Sequence, residues 1–140
     1  MTPPRSRSRQ ARAARRRQVR MSRQTHDLDA EQWAALCAAW GGCAYCGAEG
    51  VALQKDCVLP ISRGGRYTLG NVVPACASCN ASKCGDEVTG WLRRRKLDES
   101  RFLLRHLQIR AALVKQFERR ESDDRADPVV QAVGVNAATR

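Results

Sequence analysis

Two Cys-x-x-Cys pairs constrain the fold of this 140-residue chain more than any other feature. They are Cys43 with Cys46 and Cys76 with Cys79. Zinc prefers four soft ligands in a tetrahedron, and two such turns supply two thiolates each. The 29 residues between the pairs leave room for a whole β-hairpin. The alternatives are unrelated cysteines or a redox pair, but no thioredoxin-like βαβ pattern surrounds either pair. We therefore predict a structural zinc site.

The net charge of +11 is concentrated at the N-terminus. Residues 1–23 contain nine arginines and no acidic residue, whereas the remaining 16 basic and 14 acidic residues nearly balance. Such an arm favours phosphate backbones and adds affinity without base specificity. The alternatives are a solubilising leader and a mitochondrial transit peptide, since transit peptides are also rich in arginine and serine.

The seven cysteines indicate the compartment. An odd number of cysteines without a recognisable secretion signal is typical of metal ligands in a reducing compartment, not of disulfides. No apolar run approaches the roughly 18 residues of a membrane span, so we predict no membrane association. The length suits one small domain with tails.

The apolar pattern divides the chain into three parts. We predict a disordered Arg-rich arm over residues 1–26, a domain over 27–120 and a disordered tail over 121–140. Within the domain we predict a helix over 29–40 that is capped by Asp29, a core over 43–86 and helices over 88–120. In the core, residues 51–59 and 71–73 predict a β-hairpin, and residues from about 76 to 84 predict a short helix with Pro74 ahead of it.

A specific motif lies between the cysteine pairs and just after them. It reads Asp56-Cys57-x-x-Pro60-x-Ser62-Arg63-Gly64-Gly65, then Asn71, then Cys76-x-x-Cys79-Asn80-x-x-Lys83. This pattern resembles the zinc-containing form of the HNH endonuclease family over roughly residues 43–86. The resemblance implies an α+β fold, in which a ββα-metal core is framed by the four-cysteine zinc site and flanked by helices.

The resemblance also implies a function, the hydrolysis of DNA phosphodiester bonds with a divalent metal. It assigns catalytic positions to Asp56, Cys57, Asn71 and Asn80, with Asp56 and Asn80 as ligands of Mg²⁺ or Mn²⁺. Carboxylate and amide oxygens are hard ligands that suit these ions. Asn71 would hold the hairpin and orient the base, and its alternative is a plain turn residue. Arg63, Arg66 and Lys83 would contact the backbone, and the alternative for each is a solvated charge.

Cys57 stands where the family normally has a histidine that acts as general base. A thiol is a poor base for water, because its unperturbed pKa is near 8.5 whereas that of imidazole is near neutrality. The only histidines are His26, at the edge of the arm, and His106, on an apolar helix stripe that favours a core role. The chain either cuts slowly, uses another group as base, or has become an inactive zinc-stabilised nucleic-acid-binding module.

Partners and origin follow from the same resemblance. DNA is the expected partner, and the sequence does not exclude RNA. The apolar stripe of the C-terminal helix allows a homodimer, and its alternative is packing on the core. The resemblance implies bacterial or phage origin, and with the reducing compartment indicated by the cysteines we predict a cytoplasmic protein.

Overall fold

The computed structural model describes residues 5–22 and 26–126, which contain five α-helices and two β-strands. In chain order they are α1 (Arg5–Ser22), α2 (Ala30–Trp40), β1 (Leu53–Cys57), a 3₁₀ turn (Ile61–Arg63), β2 (Val72–Cys76), α3 (Ala77–Lys83), α4 (Val88–Arg94) and α5 (Glu99–Ala126).

The two strands and α3 form a ββα unit. β1 and β2 pair antiparallel, with Leu53 opposite Cys76 and Cys57 opposite Val72. Cys76 ends β2 and is also the N-cap of α3, so the helix begins where the hairpin ends. The predicted α+β fold is confirmed. Pro74 precedes the helix as predicted, but it lies within β2, because this strand continues to Cys76 and does not end at residue 73. A two-stranded sheet tolerates this proline because both strands have a free edge.

Helix α2 begins at the predicted capping box. The Asp29 side chain accepts a hydrogen bond from the Gln32 amide, and the Gln32 side chain accepts one from the Asp29 amide. The helix ends at Gly41, whose φ of 72° is in the left-handed region that glycine adopts at low cost. Leu36 and Trp40 on the predicted apolar stripe are buried.

An aromatic cluster joins α2, the first cysteine pair, α4 and α5. The Tyr45 ring packs edge-on against Trp91 at a centroid distance of 5.1 Å, and it is tilted against Phe102 at 5.0 Å. Phe102 also stacks on Trp40 at 5.7 Å. Buried aromatic rings contribute strongly to a small core. The cluster therefore joins the first cysteine pair to α2, α4 and α5.

The N-terminal segment differs from its prediction. We predicted a disordered arm over residues 1–26, whereas the structure has helix α1 over residues 5–22. Alanine and arginine are both strong helix formers, and no glycine or proline occurs between Arg5 and Ser22. Charge and low hydropathy predicted disorder, but intrinsic helix propensity was the stronger signal. Residues 1–4 and 23–25 lie outside the described ranges.

The C-terminal helical region is split in two. α4 ends at Arg94 and α5 begins at Glu99, where the Asp98 side chain accepts a hydrogen bond from the Arg101 amide. α5 continues to Ala126, beyond the predicted end at 120, and the rest of the predicted tail lies outside the described residues. Its exposed side chains include Leu103, Leu104 and Leu107. The homodimer through this helix stays a prediction.

None of the described helices has the length and apolar character that are needed to cross a membrane.

Candidate functional site

The four cysteines of the two pairs meet in one cluster. Their Sγ atoms all lie within 4.8 Å of one another, and Cys46 Sγ is 3.8 Å from Cys76 Sγ. In a tetrahedral site with Zn–S bonds of about 2.3 Å, neighbouring sulfurs are about 3.8 Å apart. All seven cysteines of the chain are free thiols. The cluster therefore has the donors and the spacing to bind a metal ion.

Hydrogen bonds from backbone amides hold the two cysteine pairs in their turns. The first pair lies on a turn that is closed by a hydrogen bond from the Gly47 amide to the Cys43 carbonyl oxygen. In the second pair, Cys76 Sγ accepts a hydrogen bond from the Cys79 amide at 3.4 Å. This hydrogen bond lowers the pKa of the Cys76 thiol to about 7, because it favours the charged form. Cys76 is thus close to the thiolate state that binds metal.

Asp56 is buried near the end of β1 and is held by two side chains. Lys83 Nζ lies 3.1 Å from Asp56 Oδ2, and the Tyr45 hydroxyl donates a hydrogen bond to the same oxygen. Lys83 Nζ also donates to the Cys57 carbonyl oxygen at 3.0 Å. One ammonium group therefore ties two consecutive motif residues of β1 to helix α3.

The burial of Lys83 corrects its predicted role. We expected a backbone contact with DNA, but the Lys83 side chain has 0% of its surface exposed. An ammonium that is buried against Asp56 cannot reach a phosphate. The protein tolerates the burial of Lys83 and Asp56 because each lies beside the opposite charge of the other. Each also has a further hydrogen-bonding partner.

Replacing Lys83 with methionine is expected to lower the free energy of unfolding by about 3–5 kcal/mol, because Asp56 is left as a buried unpaired charge. Urea denaturation followed by circular dichroism measures this loss. The control is Arg94→Met, which breaks the exposed pair with Asp86 and should cost about 0–1 kcal/mol. Equal losses in the two variants would contradict a structural role for Lys83.

Three of the four predicted catalytic residues line one open cleft of ≈ 480 Å³. Asp56 and Cys57 come from β1, and Asn80 comes from α3. The Asn80 amide nitrogen donates a hydrogen bond to Gln54 Oε1 at 2.7 Å, which holds the Asn80 side chain in place. The ββα unit thus brings a carboxylate and an amide oxygen to one place.

Asn71 closes the loop behind this cleft. Its Oδ1 accepts a hydrogen bond from the Leu59 amide, and its Nδ2 donates to the carbonyl oxygens of Leu59 and Arg66. The Arg66 carbonyl oxygen also accepts a hydrogen bond from Cys57 Sγ at 3.8 Å. Only glycine fits at position 65, since a Cβ there would lie 1.6 Å from the Leu59 carbonyl oxygen. Asn71 therefore holds the loop that carries the partner of Cys57.

Part of the chain that includes Asp56, Cys57, Asn71 and Asn80 matches a model of a known protein family. Residues 43–97 match the family model described as HNH endonuclease. We call residues 43–97 the HNH segment, because this is the part of the chain that the family model matches. The predicted resemblance is therefore confirmed there. No curated protein and no solved structure matches the chain significantly.

The HNH segment begins at Cys43 and extends further along the chain than predicted. It includes both strands, α3 and α4, whereas the sequence motifs ended near residue 86. Helices α1, α2 and α5 lie outside it. The cleft nevertheless includes residues of α1, so its walls are not formed by the HNH segment alone.

Cys57 is a protonated thiol within the HNH segment. Burial raises its pKa to about 11, and the charge of Asp56 acts in the same direction. The positive charges of Lys83 and Arg17 oppose this rise but do not cancel it. At neutral pH very little of the Cys57 side chain is therefore present as thiolate, and the protonated thiol cannot take a proton from water.

Neither histidine supplies a base to the HNH segment. His26 Nδ1 accepts a hydrogen bond from the Tyr67 amide at 3.0 Å, so the neutral ring carries its proton on Nε2 and has no free lone pair. The His106 ring stacks on Phe102 in the aromatic cluster, and burial lowers its pKa. The predicted core role of His106 fits this position.

The remaining positive charges are distributed differently from the prediction. Arg63 and Arg66 are exposed, but neither lines the cleft, and their contact with nucleic acid stays a prediction. Arg16 and Arg17 of α1 do line it. Sequence reasoning missed these two as site residues, and it also missed Tyr45 as a partner of Asp56. Helix propensity was the available signal for α1, and no sequence signal pointed to Tyr45.

Proposed function

We propose that this chain is an endonuclease that hydrolyses phosphodiester bonds of DNA with a divalent metal. The observation that carries the proposal is the meeting of Asp56 and Asn80 in one open cleft of the HNH segment. The two residues are 24 positions apart in the sequence, and only the ββα fold brings them together. Metal-assisted hydrolysis needs hard oxygen ligands beside an accessible phosphate site.

Asp56 and Asn80 would hold Mg²⁺ or Mn²⁺ through one oxygen each. Both contacts described for the Asp56 carboxylate involve Oδ2, which leaves Oδ1 for an ion. The Asn80 amide nitrogen is directed to Gln54, which leaves the amide oxygen. When bound, such an ion supplies positive charge that stabilises the phosphorane and the leaving oxygen.

Proton transfer is the weak step of this mechanism. Water attacks phosphorus and must lose a proton, the bond from phosphorus to the leaving oxygen breaks, and the leaving oxygen takes up a proton from solvent. The protonated Cys57 thiol cannot accept that proton, so it passes to bulk solvent. We therefore propose that the enzyme is slower than one with a histidine at this position.

Zinc is the proposed resident of the cysteine cluster. Four thiolates at tetrahedral spacing suit zinc, whereas the oxygen ligands of the cleft suit Mg²⁺ or Mn²⁺. The zinc site is structural, because four protein ligands leave no open position for a substrate. The two sites therefore have separate roles.

Metal-dependent nicking of plasmid DNA tests the proposal. Asp56→Asn and Asn80→Ala are each expected to lower the nicking rate with Mg²⁺ or Mn²⁺ by about 10²-fold or more, since each removes part of the metal site. The control is Asp86→Ala, which removes an exposed carboxylate outside the cleft. Circular dichroism checks that each variant is folded. Wild-type nicking no faster than that of the Asp56 variant would overturn the proposal.

The second candidate function is an inactive nucleic-acid-binding module with a zinc-stabilised core. The raised pKa of Cys57 favours it, because the usual base is missing. This candidate predicts salt-sensitive binding to DNA with no turnover under the same conditions.

A further inference from the structure

Helix α1 forms one wall of the candidate cleft. Ala13, Arg16 and Arg17 of α1 line it together with Asp56 and Asn80 of the HNH segment. The helix packs beside the 3₁₀ turn, and the Arg17 guanidinium donates a hydrogen bond to the Tyr67 hydroxyl at 3.3 Å. The N-terminal segment is therefore placed at the site where the reacting phosphate would bind.

The charges of this wall are not neutralised locally. Within residues 9–18 and 26–126, no carboxylate lies in ion-pair range of Arg16 or Arg17. Asp56, the acid of the cleft, is already paired with Lys83. Neighbouring arginines also repel one another along α1, so a polyanion bound to this face relieves that repulsion. The cleft thus contains two guanidinium groups whose natural partner is an anion.

We propose that Arg16 and Arg17 bind the same phosphodiester group that Asp56 and Asn80 address, so that α1 is part of the active site. Arginine presents several N–H donors in a planar fork that matches phosphate oxygens. It remains charged at any physiological pH, so it cannot replace the missing base. Its role is to hold the phosphate and to stabilise the additional negative charge of the phosphorane. This inference rests on the proposed function.

Two double variants of equal net charge distinguish binding of the reacting phosphate by Arg16 and Arg17 from nonspecific electrostatic attraction between α1 and DNA. Arg16→Ala with Arg17→Ala removes the cleft pair, and Arg12→Ala with Arg15→Ala removes two arginines of α1 that do not line the cleft. Both variants lose two positive charges and should lose similar affinity for DNA at a given salt concentration. At saturating DNA, only the cleft variant is expected to lose cleavage rate, by about 10²-fold, because it lacks donors to the transition state.

A second readout does not require cleavage. The Cys84 thiol is exposed and lines the same cleft, so DNA held there shields it from N-ethylmaleimide. Mass spectrometry of the full-length protein, with a short DNA duplex and without added Mg²⁺, measures the alkylation rate of Cys84. We expect several-fold protection in the wild type and in the Arg12 and Arg15 variant. We expect none in the cleft variant at saturating DNA.

The outcomes distinguish the two proposals. Equal protection of Cys84 in the two double variants, or no protection in the wild type, overturns the role of Arg16 and Arg17. Protection that depends on the cleft pair, in a wild-type protein that does not cut DNA, supports that role and overturns the proposed hydrolysis.

Discussion

Replacing Cys57 with histidine is expected to raise the rate of metal-dependent DNA nicking by about 10²- to 10⁴-fold near neutral pH, which is the usual contribution of a general base. Burial raises the pKa of the native Cys57 thiol to about 11, so the thiol stays protonated and cannot accept a proton from water. An imidazole titrates near neutrality and takes the proton that now passes to solvent.

The surroundings of Cys57 suit such a ring. Cys57 Sγ already donates a hydrogen bond to the Arg66 carbonyl oxygen, and Asn71 holds that carbonyl in place. A histidine that donates from Nδ1 to the same oxygen keeps Nε2 as an acceptor for water. The gain should increase as the pH rises through the pKa of the new imidazole, because only the neutral ring is a base.

Plasmid nicking with Mg²⁺ or Mn²⁺ between about pH 5.5 and 8 measures this gain around the unperturbed pKa of histidine. Cys57→Ser is the matched control, since its hydroxyl is also no base near neutral pH. Adding Asp56→Asn to the histidine variant should remove the gain, because the metal site is then lost. A histidine variant as slow as the serine variant would show that the site lacks more than its base.

Removing the metal from the cysteine cluster is expected to unfold the core. Structural zinc contributes an apparent binding free energy of about 10–16 kcal/mol in small zinc domains. That contribution is as large as the whole stability of a typical domain, about 5–15 kcal/mol. A chelator, or Cys79→Ser, should therefore abolish the cooperative unfolding transition seen by circular dichroism.

Native mass spectrometry should find one zinc ion per chain before the chelator is added and none afterwards. Cys84→Ser is the control, because this exposed thiol lies outside the cluster, and it should keep both the zinc ion and the transition. A metal-free protein that unfolds cooperatively at an unchanged temperature would show that the core does not depend on zinc.

The features that sequence predicted well depend on short-range rules. The capping box at Asp29 and the left-handed Gly41 follow from residues within one helical turn. The cluster of four cysteines follows from two short Cys-x-x-Cys turns, which are typical of metal sites. Asn71 was singled out by its position in the motif, although its hydrogen bonds to Leu59 span 12 residues.

The features that the sequence did not predict depend on tertiary contacts between segments that are distant in the chain. Tyr45 lies between two cysteine ligands, and nothing in its neighbours shows that its hydroxyl meets Asp56. Arg16 belongs to a run of arginines that composition assigned to disorder, yet the helix places it in the cleft.

The sequence by itself determined the four-cysteine cluster, the ββα core and the presence of a thiol at position 57, because each of these rests on residue types at fixed spacings. Only the tertiary structure decided that Lys83 is a buried partner of Asp56 and not a DNA contact, and that α1 forms a wall of the cleft. The physical reason is that a charged side chain has the same local pattern whether it meets solvent, a phosphate or a buried carboxylate. Its partner is fixed only when distant segments pack and exclude water.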